Sequence, residues 1–183
     1  NPAFGSLKDF KALVQQAHAL GMKVIIEWVA QTTSREHVWV KQHPEWYLKL
    51  ETVEPQSDQH DKGVKAAEGS ERLSLNFSSK PVWAAMTQAM LFWLKEADVD
   101  GFSCSTASQL PLKFWQQARA KLETQKPVFM LASSADAQVE ESAFDMVYDW
   151  ALYDILKKIA KGHADVRDLK AYLATTAANL QAD

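Results

Sequence analysis

Apolar positions along the chain follow two different periods. Phe10, Leu13, Val14, Ala17 and Leu20 recur at helical spacing. Ser6 stands ahead of them with Asp9 three residues later, the pattern of a capping box, and Gly21 sits where a helix C-cap belongs. Residues 23–29 are then a short, nearly unbroken apolar run, the pattern of a strand covered by helices on both faces. The rhythm repeats. Ser78, Ser79, Lys80 and Pro81 make a helix start, followed by Trp83, Met86, Met90, Trp93, Leu94 and Ala97 as an apolar stripe. Residues 99–104 predict a second strand, and Pro111 opens a helix with Leu112, Trp115, Ala118 and Leu122 inward. Residues 127–131 predict a third strand and residues 143–148 a weaker fourth. Leu152, Ile155, Leu156 and Ile159 form a helix that Gly162 ends, and Asp165 caps a last helix through Val166, Leu169, Tyr172, Leu173 and Leu180.

Strands alternating with helices predict an α/β fold with a parallel sheet joined by right-handed crossovers. Residues 30–77 break the rhythm: Trp, His, Pro, Gly and charges mingle there without a period, as a long loop insertion after the first strand. Insertions at the C-terminal end of a strand are where α/β folds build ligand sites. Residues 1–183 otherwise read as one domain, with 47% apolar and 23% charged residues, enough for a core.

Lys and Arg number 20 against 23 Asp and Glu, a net charge of −3, so no basic surplus points to nucleic acid. The lone cysteine excludes an intrachain disulfide and a thiolate zinc cluster. No apolar run reaches the ~18–20 residues of a membrane span, and the first residues lack the pattern of a signal peptide. His37 and His43 lie in the insertion without a third ligand at diagnostic spacing, so neither a metal nor a cofactor is expected. Seven tryptophans stand out; Trp serves cores and also offers a platform to ring-shaped ligands.

Several segments resemble the α-amylase superfamily of glycoside hydrolases. They are Phe4-Gly5-Ser6-Leu7-Lys8-Asp9-Phe10, His18-Ala19-Leu20-Gly21-Met22-Lys23-Val24-Ile25-Ile26, His37-Val38-Trp39, His43-Pro44-Glu45-Trp46-Tyr47 and Leu75-Asn76-Phe77. Further on come Val99-Asp100-Gly101-Phe102, Pro111-Leu112-Lys113-Phe114-Trp115, Lys126-Pro127-Val128-Phe129-Met130-Leu131-Ala132 and Ala143-Phe144-Asp145-Met146. The resemblance spans most of the chain apart from residues 50–70 and the last turns. It implies a partial (β/α) TIM-type barrel of about four parallel strands, corresponding to strands three to six of the family's (β/α)8 barrel. The insertion would correspond to a small version of the family's B domain.

The same resemblance places hydroxyls where the family keeps reactive groups. Its strand-four motif, glycine–phenylalanine–arginine–x–aspartate, reads Gly101-Phe102-Ser103-Cys104-Ser105, so Ser105 holds the nucleophile position and Ser103 that of the orienting arginine. At the end of strand five the acid position is held by Ser133, in Ala132-Ser133-Ser134. After strand three the family's aspartate and asparagine–histidine are replaced by Glu27, Gln31 and Thr32. A retaining glycosidase needs two carboxyl groups about 5–5.5 Å apart. A serine hydroxyl is un-ionised at neutral pH and attacks only beside a base, and no histidine falls on this strand end. Loss of either carboxyl removes several orders of magnitude in rate, so the chain is expected to be inactive.

Two readings of function follow. In the first, the chain is a non-catalytic α-amylase-like barrel unit, a pseudoenzyme made by divergence or by redesign, with a weak α-glucan ligand or a structural role. Its substrate-binding candidates are Glu27, Trp28, Gln31, Thr32, Ser103 and Trp39. In the second, it is part of an active retaining enzyme that cleaves α-glucans, with the absent groups supplied elsewhere. Glu27 also has a plainer reading, a strand-end carboxylate facing solvent or a lysine. Trp39, Trp46 and Tyr47 have one as well, a satellite core under a long loop. Asp136, Glu140, Glu141, Asp145 and Asp149 read as surface charges rather than replacement catalysts. Four parallel strands leave two open edges, which predicts a homodimer.

Overall fold

The computed structural model describes residues 2–48, 72–133 and 143–180. Helix α1 (Leu7–Ala19) leads to strand β1 (Ile25–Val29). Within the insertion lie β2 (Thr32–Ser34), the short α2 (Val38–Gln42) and β3 (Arg72–Ser74). Then follow α3 (Lys80–Ala97), β4 (Gly101–Ser105), α4 (Leu112–Glu123), β5 (Phe129–Ser133), β6 (Met146–Val147), α5 (Trp150–Ala160) and α6 (Val166–Leu180). β1, β4, β5 and β6 form a four-stranded sheet in that order, every neighbour parallel. β2 and β3 pair antiparallel as a separate ribbon, extended by a bridge from Tyr47 to Leu75.

The helix starts and stops obey the local chemistry. The Ser6 hydroxyl accepts the Asp9 N–H while the Asp9 carboxylate accepts the Ser6 N–H at 2.7 Å, closing the capping box of α1. Gly21 adopts a φ of +76°, which lets the chain leave that helix by a left-handed turn. Pro81 occupies the first turn of α3, where its missing N–H costs nothing.

The core lies between one face of the sheet and the helices. Phe102, Cys104, Met130 and Ala132 point into it and are fully buried, against Val82, Met90 and Leu94 of α3 and Phe114, Trp115 and Leu122 of α4. The Trp115 indole donates to the Ala107 carbonyl at 2.9 Å, so this large buried ring leaves no polar atom unpaired. α1 packs onto α3 through an edge-to-face contact of Phe10 with Trp93 and a Lys11–Glu96 ion pair.

Two expectations change. β1 is an edge strand, and Glu27 and Val29 on it are exposed, so it is not covered on both faces. Leu13 and Leu20 lie 58% and 74% exposed, and Val14 alone of α1's apolar set is fully buried. Helical periodicity marks which side of α1 is apolar, but the body of the protein covers only part of that side. Residues 50–70 of the insertion, and Asp136, Glu140 and Glu141, lie outside the described residues. Among the described residues no helix is long and apolar enough to cross a membrane.

Candidate functional site

The parallel register sets Glu27 opposite Ser103, and Val29 opposite Ser105, which in turn faces Ser133. Side chains alternate along a strand, so Glu27, Ser103, Ser105 and Ser133 share the face opposite the buried Phe102, Cys104, Met130 and Ala132. The result is a carboxylate-and-hydroxyl patch at the C-terminal end of the sheet, set among Ile25, Phe129 and Leu131. Ser105 Oγ donates to Glu27 Oε1 at 2.8 Å. The Glu27 carboxylate is thus met by a hydroxyl, not by a lysine.

Two backbone features hold the patch. Gly101 opens β4 where a Cβ would stand 1.9 Å from the Phe129 carbonyl oxygen, so only glycine lets β4 and β5 approach here. Thr106, directly after Ser105, sits in the left-handed region at φ 58°, a strained conformation for a β-branched residue. Its hydroxyl donates to the Ser105 carbonyl at 2.6 Å, which secures the turn that ends β4.

The other sequence candidates do not all converge on this patch. Trp28 points to the helix-covered face, edge-on to Phe102 with ring centres 5.5 Å apart, and its buried indole N–H has no partner among the described residues. Gln31 accepts the Leu75 N–H on its main chain while its buried side-chain oxygen is unpaired among the described residues; Thr32 pairs with Ser74 in the ribbon. Trp39 lies edge-on to Trp46 at 5.3 Å, and His43 stacks flat on Trp46 at 3.9 Å. With Tyr47 these tryptophans are half-buried against the core, the arrangement of a satellite cluster that anchors the insertion. The His37 ring accepts the Trp39 N–H at the start of α2, and partial burial lowers its pKa.

The acids resolve by position. Asp145 accepts Arg119 Nη2 at 2.7 Å and the Met130 N–H at 2.8 Å, so it ties α4 to the start of β5. Asp149 caps α5 by accepting the Leu152 N–H at 2.8 Å and also takes the Tyr172 hydroxyl at 2.7 Å. No cluster of metal-ligating side chains occurs among the described residues.

A partly buried ionic hub at the other end of the sheet escaped the sequence reading. Asp100 accepts His18 Nε2 at 2.7 Å, Lys23 Nζ at 3.1 Å and the Val24 N–H at 2.8 Å. Burial pushes its carboxyl up, but these hydrogen bonds and the charge of Lys126 outweigh it and hold the pKa at about 2. The available signal was an acid at the entrance to an apolar strand.

Four parallel strands with helices on one face, and a polar patch at their C-terminal ends, define a portion of a (β/α) barrel. A sequence profile described as the catalytic domain of α-amylase matches residues 1–151. The chain belongs to this α-amylase family. It is 27% identical over 142 residues to the α-1,4-glucan:maltose-1-phosphate maltosyltransferase of Bifidobacterium longum, covering 74% of this chain and 18% of that protein. Identity to the enzyme of the same name from Chlorobaculum tepidum is 28% over 143 residues, 74% of this chain and 20% of the relative. The chain therefore spans about a fifth of the length of the curated relatives it matches. Among solved structures, the maltogenic α-amylase AmyB of Thermotoga neapolitana superposes with a TM-score of 0.76 at 32% identity, covering 92% of this chain and 38% of that one. An α-amylase from Lactobacillus plantarum does so with a TM-score of 0.79 at 29% identity, covering 97% and 44%.

Proposed function

We propose that this chain is a non-hydrolysing α-amylase-type barrel unit that binds α-glucan weakly. The observation that supports this most is the composition of the strand-end patch. Along β1, β4, β5 and β6, the described positions on that face hold one carboxylate, Glu27, and its neighbours Ser103, Ser105 and Ser133 carry hydroxyls. One carboxylate can accept a sugar hydroxyl. It cannot act both as nucleophile and as proton donor to the leaving oxygen. The Glu27–Ser105 hydrogen bond does not rescue the serine, because a carboxylate is a far weaker base than the alkoxide it would have to generate.

An activated aryl α-glucoside tests inactivity: no turnover above buffer is expected. Turnover abolished by Glu27→Gln would overturn the reading.

A second reading is that the chain is part of an active α-glucan-processing enzyme whose missing groups come from elsewhere. It is favoured by the small share, 18% and 20%, of the maltosyltransferases that the chain matches. Glucoside turnover that appears only when the remaining barrel of a relative is added would select it.

Self-association is the expected partner state on the first reading. β1 and β6 are the open edges of the sheet, and pairing them between two copies would double the strand number to that of a closed (β/α)8 barrel. Sedimentation equilibrium is expected to show a dimer; a stable monomer at high concentration removes it.

A further inference from the structure

We infer that the helical layer of this protein closes between two copies. The side of α1 that carries Asp9, Leu13 and Leu20 in one copy packs against the side of α6 that carries Val166, Lys170 and Leu173 in the other. This rests on the self-association proposed for the open strand edges and gives it a specific contact between helices.

Each open edge of the sheet has beside it a helix with an uncovered apolar side. α1 leads into edge strand β1, and the α5–α6 hairpin follows edge strand β6. Lys11 reaches Glu96 of α3 at 2.7 Å, so its side of α1 faces the body. At about 100° per residue, Leu13 and Leu20 stand about 200° and 180° round from Lys11, on the side away from α3. Both are exposed. On α6, the Tyr172 hydroxyl donates to Asp149 at the start of α5 at 2.7 Å, which fixes the side that meets α5. Val166 and Leu173 lie about 100–120° round from Tyr172, 56% and 50% exposed.

The two sides differ in charge. Asp9 stands four residues before Leu13 and shares its side of α1, while Lys8 and Lys11 lie elsewhere on the helix. The Ser6 N–H and hydroxyl hold the Asp9 carboxyl below its usual range, so it is anionic at neutral pH. Lys170 stands four residues after Val166 and three before Leu173, within the apolar stripe of α6. Pairing α1 with α6 therefore sets aliphatic side chains together and opposes a carboxylate to an ammonium. Pairing either side with its own kind would oppose like charges across an apolar contact. A twofold axis makes the α1–α6 contact twice, once beside each junction of β1 with the other copy's β6. In an eight-stranded closure that axis keeps the two α1 helices on opposite sides of the barrel.

A short bismaleimide tests the contact on the full chain, with Cys104 buried and out of its reach. A mixture of Leu13→Cys and Leu173→Cys proteins is expected to cross-link into dimers, and neither protein alone. In sedimentation equilibrium, Leu13→Glu and Lys170→Glu are each expected to weaken dimerisation by about tenfold or more. Gln16→Lys, one turn beyond Leu13, is expected to restore dimerisation to the Lys170→Glu protein. Circular dichroism matching the parent's shows that each variant is folded. Cross-linking of Leu13→Cys or Leu173→Cys by itself would overturn the pairing. A dimer whose strength none of these variants changes would overturn the helical contact and leave self-association in place. A monomer at every concentration would overturn both.

Discussion

Ser105 Oγ donates to Glu27 Oε1 over 2.8 Å, although the two are not register partners: Ser105 sits opposite Val29, and Glu27 opposite Ser103. The bond is a diagonal across adjacent strands, and it joins the last residue of β4 to the carboxylate of the edge strand.

Ser105→Asp tests this geometry directly. It sets a second carboxylate against Glu27, and like charges at hydrogen-bonding distance raise one of the two pKa values. A folded-state pKa raised above its unfolded value is a penalty that is present at neutral pH and relieved as pH falls. Thermal unfolding is expected to show the variant less stable than the parent at pH 7, with the gap narrowing toward pH 5. Ser105→Asn, isosteric and uncharged, is expected to show no such pH dependence.

Asp100 predicts the opposite slope. Its folded pKa, about 2, lies below the unfolded value near 3.8, so its contribution is fully present above pH 3.8 and is lost as pH falls toward 2. The Asp100→Asn variant is expected to lose about 1–3 kcal/mol at neutral pH. Its denaturation midpoint should also fall less steeply than the parent's across that acid window. A parallel decline in both proteins would show that the hub does not contribute.

Gly101→Ala is expected to destabilise by about 1–3 kcal/mol or more, since the new methyl meets main chain that cannot swing aside. Urea titration followed by tryptophan fluorescence measures it, and an unchanged midpoint would mean that β4 and β5 separate without cost.

Cys104 is fully buried, and burial pushes its thiol pKa up. In native buffer a thiol-specific chromogenic reagent is expected to react only at the rate of unfolding, and at once in denaturant. Rapid native labelling would place β4 outside the core.

Much of the architecture was legible because helical and strand periods are local properties. The stripe from Trp83 to Ala97, the Trp115–Leu122 stripe and the Ser6–Asp9 cap all appear as read. What failed to show was anything depending on the neighbour. The apolar run of β1 looks like that of a strand covered on both faces, yet Glu27 and Val29 on it lie exposed. Leu13 and Leu20 fit the helical stripe, yet the body buries Val14 and leaves both of them exposed. At the site, the resemblance to α-amylases singled out Glu27, Ser103, Ser105 and Ser133, and the register gathers all four on one face. Trp28, adjacent to Glu27, falls on the other face, as strand alternation requires.

By itself the sequence determined the order of elements, the family and the chemical character of the strand ends, because each is encoded in spacing and residue type within a few positions. Only the tertiary structure decided that Glu27 answers Ser105, that His18, Lys23 and Val24 converge on Asp100, and that Tyr148, Trp150 and Tyr153 assemble at one corner of the sheet. The first two depend on residues about 80 positions apart and the third on how α5 leaves β6. Hydrogen bonds and ring contacts act only over ångströms, so such meetings exist only once strand register and helix packing have brought the partners together.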